Sequence, residues 1–210
     1  MKPPDLMQID DYHFYVPAAL PGAPTILHIG AYPGNCAHTL RARYPRARII
    51  AVEVDPANLN GLRKRVAQDS VDVHTIAVGD HDGSALLYQC DNDTAHTIFN
   101  NERTDLPFRS KVPVKMRRFS TMCAQLGLSD IDLLLLNCEG AELYALQEIC
   151  RGLAVRIGQM CVAWHCWAHH ALYQRACRDD IIRSLCASYT IIDSPYRPIH
   201  WTLFVRKDLL

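Results

Sequence analysis

The chain has 210 residues, of which 49% are apolar, and its 22 basic and 22 acidic side chains give a formal net charge of zero. This composition is sufficient for a continuous hydrophobic core and argues against a disordered chain. The balanced charge lacks the general electrostatic attraction on which nucleic-acid binding depends, and no segment approaches the roughly 20 apolar residues of a membrane span. We therefore expect neither a nucleic-acid partner nor membrane insertion.

The amino terminus and the cysteines indicate the cellular setting. The first residues, "MKPPDLMQIDDYHFYV", contain prolines and aspartates where a signal peptide has an apolar core. The nine cysteines are odd in number and form no CxxC pair, which is not typical of a disulfide framework. We expect a soluble, cytoplasmic protein with residues 1–24 as an N-terminal extension and residues 25–210 as a single domain.

Apolar runs alternate with segments of helical period from residue 25 onward, and this alternation predicts an α/β fold. Three strands are predicted in the first half, at 25–29, 48–54 and 71–78. Helices are predicted between them, at 36–44 and from Pro56, a residue suited to a first helical position.

The second half continues the alternation. "SALLYQ" indicates an edge strand or hairpin arm, residues 90–111 a long loop and "VPVKMRRF" a short strand before a helix. The run "IDLLLLNC" (131–138) is apolar on both faces, as a central parallel strand must be. After a further helix, strand and helix, "YTIID" and "WTLFVRK" predict an antiparallel edge. Together these elements predict a seven-stranded, mostly parallel sheet with helices on both faces and an antiparallel last strand.

Ligands of open α/β sheets lie beyond the carboxyl ends of the strands. Gly30 and Gly34 follow the first predicted strand, and Glu53 ends the second, 23 positions after Gly30. That interval is typical of a carboxylate that accepts hydrogen bonds from ribose hydroxyls. The two glycines form G-x-x-x-G rather than the G-x-G-x-x-G of a pyrophosphate site, so a nicotinamide dinucleotide is disfavoured.

Four segments resemble the FkbM family of S-adenosylmethionine-dependent methyltransferases: "HIGAYPGNCA", "AVEVDPANLNGL", "AVGDHDGSALLY" and "IDLLLLNCEGAELYALQ". The resemblance covers residues 25–150 and implies a class I methyltransferase (Rossmann-like) fold, S-adenosylmethionine as cofactor, and O-methylation of a small-molecule hydroxyl. It also implies the cofactor-binding residues, which are His28, Gly30, Ala31, Tyr32, Gly34, Glu53, Val54, Val78, Gly79, Asp80 and Asn137. The loop at 78–80 would flank the adenine.

The chain departs from the family pattern at four polar positions. His28 replaces an aspartate, Tyr32 an asparagine, Leu135 a lysine and Asn137 an aspartate. A histidine at 28 supplies no fixed negative charge for the ammonium group of the cofactor. These changes leave open a second interpretation, in which the chain binds adenosylmethionine without turnover and serves as a scaffold or regulatory partner.

Two residues are candidates for catalysis, because an alcohol needs a base to take its proton. Glu139 follows a buried strand, and its alternative role is to cap the next helix. His165, in "WHCWAHH", could act as a general base near neutral pH or be an ordinary rim histidine. With Cys166 and His169 it could also be imagined as a metal ligand, but no second cluster has a recognised spacing, so no metal is predicted.

Overall fold

The structure is a computed structural model that describes residues 5–10, 13–100, 107–165, 175–195 and 200–210. The strands of these residues, in chain order, are β1 (Met7–Ile9), β2 (His13–Tyr15), β3 (Thr25–Ile29), β4 (Arg48–Val52), β5 (Asp72–His74), β6 (Ala77–Val78), β7 (Gly83–Cys90), β8 (Phe108–Arg117), β9 (Asp130–Leu136), β10 (Arg156–Ala163), β11 (Tyr189–Asp193) and β12 (Trp201–Arg206). The helices are α1 (Asn35–Arg43), α2 (Pro56–Arg65), α3 (Phe119–Gln125), α4 (Glu142–Cys150) and α5 (Arg175–Leu185).

Seven strands form the central sheet, in the order β11-β12-β10-β9-β3-β4-β5. The pairs between β10, β9, β3, β4 and β5 are all parallel, whereas β12 is antiparallel to both of its neighbours. The prediction of a seven-stranded sheet whose last strand is antiparallel is therefore confirmed.

Strand β9 explains why the sheet is covered on both faces. Leu134 and Leu136 pack into the core on one face, while Leu133 and Leu135 pack into the core on the other. Successive side chains of a strand point to opposite faces, so only an apolar run can occupy a strand with a core on each side. All four leucines are fully buried.

The predicted strand at 71–78 is wrong as a single element. The chain leaves the central sheet after His74, and Ala77–Val78 pair instead with Met116 and Arg117 of β8. This second sheet has the order β6-β8-β7 and encloses its own small core, which includes Ala77 and Leu87. The predicted hairpin arm at "SALLYQ" is confirmed, because β7 pairs antiparallel with β8.

The hairpin of β1 and β2 packs on the central sheet. Phe14 and Tyr15 are fully buried in the same core as Leu133 and Leu135. Gln159 of β10 holds the hairpin end, because its side chain accepts from the Val16 nitrogen at 2.8 Å and donates to the Val16 oxygen at 3.0 Å. The described part of the predicted N-terminal extension thus contributes to the core.

Candidate functional site

The strand order reverses between β3 and β9, the place where α/β sheets bind ligands. Gly30 follows β3 with φ +81°, and a Cβ atom at this position would lie 1.7 Å from the Asn137 carbonyl oxygen. Only glycine permits both the left-handed backbone and this close approach of the two strand ends. The backbone nitrogen of Asn137 in turn donates to the Ile29 carbonyl at 3.0 Å.

An open cavity begins at this crevice, with an empty volume of about 730 Å³ that includes the space open to solvent. Its lining comes from the ends of β3, β4, β6 and β9, from helix α2 and from the loop that follows β7. Seven of the residues predicted from the sequence line it: Gly30, Tyr32, Glu53, Val54, Val78, Asn137 and Glu139.

Glu53 brings a buried carboxylate to the cavity. Its side chain accepts from the backbone nitrogens of Tyr32 at 3.2 Å and Asp55 at 2.9 Å, one on each oxygen. Burial raises the pKa of Glu53, and the backbone hydrogen bonds oppose that shift. Each carboxylate oxygen has two lone pairs, so the group can also accept hydrogen bonds from the hydroxyls of a ligand.

Part of the cavity lining is apolar. This apolar wall consists of Val54, Ile76, Val78, Leu87 and Ile98. Such a wall suits a flat, uncharged ring, whereas the backbone edges at Gly30 and Asn137 suit a polar ligand group.

Residues 91–99, which we name the roof segment, cover part of the cavity and fall in the loop predicted at 90–111. Asp93, Thr94, His96 and Ile98 line the cavity from this side. Sequence reasoning did not single out these residues, because neither a periodic pattern nor a spaced motif marks them.

The roof segment is attached to helix α2. The Nε2 atom of His96 lies 3.0 Å from Oδ2 of Asp55, the fully buried N-cap of α2. Asn58, also on α2, donates to the Asp93 carbonyl at 2.6 Å. The Asp55-Pro56 step signalled a helix start in the sequence, but nothing there indicated a contact with the roof segment.

Glu139 lies on the opposite side of the cavity, in the turn between β9 and α4. Its φ of +48° places it in the left-handed region, which is uncommon for a residue with a side chain. Such strain persists only where surrounding contacts enforce it, and it is frequent at functional sites. Its carboxylate lies 2.9 Å from Nε2 of His165 and is 17% exposed.

His165 lies between two carboxylates. Its Nδ1 atom is 2.8 Å from Glu142, whose side chain is fully buried and accepts from the backbone nitrogens of Cys138 and Gly140. Burial alone would lower the pKa of His165, but Glu142 and Glu139 outweigh it and raise the pKa to about 10. At neutral pH the ring is therefore an imidazolium with a proton on each nitrogen, and it has no lone pair with which to accept another.

Several residues predicted for cofactor binding lie away from the cavity. His28 is buried against His13, with ring centroids 4.8 Å apart, on the side of the sheet that faces β2. Burial holds the pKa of His28 well below its ordinary value of 6.5, so the ring is neutral. The predicted cofactor contact of His28 does not agree with this placement.

Four further predicted residues are also not brought to this cavity: Ala31, Gly34, Gly79 and Asp80. Ala31 is buried in the core, and Gly34 is the N-cap of α1. Gly79 and Asp80 line a different, more open cavity, and Asp80 pairs with His81. Of the predicted adenine loop, only Val78 lines the cavity at Gly30, and the backbone nitrogen of Gly79 donates to the Arg117 carbonyl of β8 at 2.9 Å.

The other residues of the histidine-rich stretch, Cys166, His169 and His170, lie outside the described residues. Among the residues that the structure describes, no group of three or more His, Cys, Asp or Glu side chains could hold a metal ion. None of the described helices is both long and apolar enough to cross a bilayer.

Comparisons with known proteins identify a domain family and a curated relative. The protein-family model for the methyltransferase FkbM domain matches residues 28–184 of the sequence. The chain is 24% identical to the 2-O-methyltransferase NoeI of Sinorhizobium fredii over 132 residues, which are 57% of this chain and 54% of NoeI. The chain thus spans about half the length of this curated relative.

Solved structures share the fold. The methyltransferase FkbM of Methylobacillus flagellatus superposes with a TM-score of 0.54 at 16% identity, over 88% of this chain and 44% of that protein. Fibrillarin of Aeropyrum pernix with bound S-adenosylmethionine gives a TM-score of 0.50 at 14% identity, over 90% and 68% of the two chains. Human methyltransferase-like protein 13 with S-adenosylhomocysteine gives 0.51 at 13% identity, over 90% and 77%.

These likenesses confirm the predicted class I methyltransferase fold. The family model covers all four segments that carried the resemblance, and it includes Gly30, Glu53 and Glu139. By this match the chain belongs to the FkbM methyltransferase domain family.

Proposed function

We propose that the protein transfers a methyl group from S-adenosylmethionine to a hydroxyl oxygen of a small, sugar-like molecule. The observation that carries the proposal is that three features meet in one cavity, at the place where the strand order reverses. They are the close backbone approach at Gly30, the buried acceptor Glu53, and Glu139 with its strained backbone. Membership of the FkbM family supports methyl transfer, and the 2-O-methyltransferase activity named for NoeI supports oxygen as the acceptor atom.

The residues present fit the cofactor. The carboxylate of Glu53 would accept hydrogen bonds from the ribose hydroxyls, and the apolar wall that includes Val54 and Ile98 would hold the purine. The backbone at Gly30 and the side chain of Asn137 would lie beside the amino-acid end. Because His28 lies away from the cavity, its replacement of an aspartate removes no charged contact there.

When bound, the cofactor supplies an electrophilic methyl group on a sulfonium sulfur. The protein must then align the acceptor hydroxyl and accept its proton. We assign the proton to Glu139, because His165 engages one oxygen of its carboxylate and the residue lines the cavity. His165 would hold Glu139 in place as a donor instead of acting as the base.

The direct experiment measures methyl transfer to a panel of glycosides and other polyols. Formation of S-adenosylhomocysteine together with a methyl ether, located on the product by NMR, is the expected result. Methylation of an amine or carbon acceptor instead would overturn the choice of oxygen. Tight binding of S-adenosylhomocysteine without turnover on a broad panel would favour the silent binding domain, and absence of any binding would overturn the cofactor assignment.

A further inference from the structure

The roof segment, residues 91–99, makes contacts that its position over the cavity does not by itself require. His96 is the central residue: its side chain is 8% exposed and reaches the fully buried Asp55. Its other nitrogen, Nδ1, accepts from the backbone nitrogen of Cys90 at 3.1 Å. Since Nδ1 is an acceptor, the ring proton resides on Nε2 and is donated to Asp55.

Asp55 is positioned from several directions. One carboxylate oxygen accepts from the Ala57 nitrogen at 2.7 Å, which caps helix α2. The other accepts from Gln89 at 2.7 Å as well as from His96. The backbone nitrogen of Asp55 donates to Glu53, so the anchor of the roof segment is also a support of the carboxylate in the cavity.

The segment has a second attachment on the other side of the cavity. The hydroxyl of Thr97 donates to the Glu139 carbonyl at 2.7 Å, and the backbone of Thr97 pairs with Tyr88 of β7 in both directions, at 2.8 and 3.1 Å. His96 and Thr97 are adjacent in the chain. The two neighbouring residues thus connect the segment to the Glu53 side and to the Glu139 side of one cavity.

We propose that Asp55 and His96 are a positioning pair that fixes the roof segment over the nucleoside part of the cofactor. The pair thereby sets the affinity for the cofactor. This inference rests on the cofactor assignment of the proposed function. It adds a determinant of cofactor binding that lies outside the glycine turn and the strand-end carboxylate, and it gives the segment after β7 a defined role. The pair lies beside Glu53 and not beside Glu139. We therefore expect it to affect binding of the cofactor and not proton transfer to Glu139.

The matched pair of substitutions His96→Gln and His96→Asn tests the Asp55 contact. A glutamine amide reaches the position of Nε2 and can donate to Asp55, whereas an asparagine amide reaches only the position of Nδ1. We expect calorimetry with S-adenosylhomocysteine to give an affinity within threefold of the unchanged protein for His96→Gln and a loss of about tenfold for His96→Asn.

Asp55→Asn tests the partner without removing the helix cap, because asparagine is an equally good N-cap residue. With one oxygen retained on Ala57, the amide nitrogen would face the donors of His96 and Gln89, so the pair is lost at nearly unchanged volume. We expect a loss of affinity similar to that of His96→Asn. His38→Gln is the control, because it disrupts an exposed pair with Asp69, 2.7 Å long, at a residue that does not line the cavity.

Amide hydrogen exchange of the free protein supplies a readout that needs no ligand. The Thr97 amide, which donates to the Tyr88 carbonyl at 3.1 Å, should exchange slowly in the unchanged protein and in His96→Gln, and at least tenfold faster in Asp55→Asn. Equal exchange in all variants, or equal affinity of His96→Gln and His96→Asn, would overturn the positioning pair. An unchanged protein that binds no S-adenosylhomocysteine would overturn the proposed function, while the exchange rates would still decide whether the pair fixes the segment.

Discussion

The Nε2 atom of His165 lies 2.9 Å from a carboxylate oxygen of Glu139, at the end of a chain of charges that begins at the buried Glu142. This contact determines which of the two residues can accept a proton, because a ring whose pKa is raised to about 10 carries a proton on each nitrogen at neutral pH and is not a base. Glu139→Gln should therefore lower kcat by about two to four powers of ten, the usual contribution of a general base. Affinity for S-adenosylhomocysteine should change little.

His165→Gln is the comparison for this prediction, since glutamine retains a donor toward Glu139. It should reduce kcat less than Glu139→Gln does, in assays of the same acceptor. If His165→Gln is the slower variant, the base is His165 and the assignment of the proton to Glu139 is wrong.

Alkaline pH should destabilise the protein through His165. The pKa of this residue is about 10 in the folded protein and 6.5 ordinarily, so the folded state binds the proton more tightly. The stabilisation is fully present below pH 6.5 and is lost as the pH rises toward about 10. Urea unfolding between pH 7 and pH 10 should show a falling free energy, with a smaller slope in His165→Gln. Equal slopes in the two proteins would contradict the paired imidazolium.

Acid should destabilise the protein through His13 and His28, for the opposite reason. Burial lowers the pKa of His13 to about 4, and that of His28 well below 6.5. The unfolded chain therefore binds more protons, and stability falls as the pH drops from 6.5 toward 4. His13→Phe should flatten this part of the stability curve; an unaltered curve in His13→Phe would refute the assignment.

Gly30→Ala separates steric collision from backbone strain when it is compared with Gly152→Ala. The two glycines have similar φ values, +81° and +89°, but a Cβ at 152 meets nothing within 4 Å. Gly152→Ala should lower the free energy of unfolding by about 1–2 kcal/mol, the cost of the left-handed conformation. Gly30→Ala should lower it by more than about 4 kcal/mol, because backbone at Asn137 must move. Similar midpoints in urea would show that the close approach is not rigid.

Thr97→Val tests the attachment of the roof segment to the turn that holds Glu139. Loss of the hydroxyl removes the 2.7 Å hydrogen bond to the Glu139 carbonyl, so the strained turn loses one of its supports. We expect kcat to fall about tenfold, with S-adenosylhomocysteine affinity within twofold, and Thr97→Ser to behave as the unchanged protein. A rate for Thr97→Val equal to that of Thr97→Ser would show that the hydrogen bond does not position Glu139.

Local signals in the sequence determined most of the fold and the centre of the site. The apolar run of β9 could belong only to a strand buried on both faces, and Gly30 and Glu53 follow strands whose carboxyl ends meet at one edge. These inferences depend on residues close together in the chain or on a general property of parallel sheets. They hold without knowledge of any particular long-range contact.

The tertiary structure decided what depends on the direction of side chains and on partners distant in the chain. Alternation along β3 predicts that His28 and Ile29 face opposite sides of the sheet, but not which side holds the cavity; Ile29 lines it and His28 does not. The charge of His165, which follows β10, depends on the carboxylates of Glu139 and Glu142, which follow the neighbouring strand β9. The partner of His96 is Asp55, the N-cap of helix α2. Electrostatic and hydrogen-bonding energies are set by distance in space, and a sequence orders residues only along the chain.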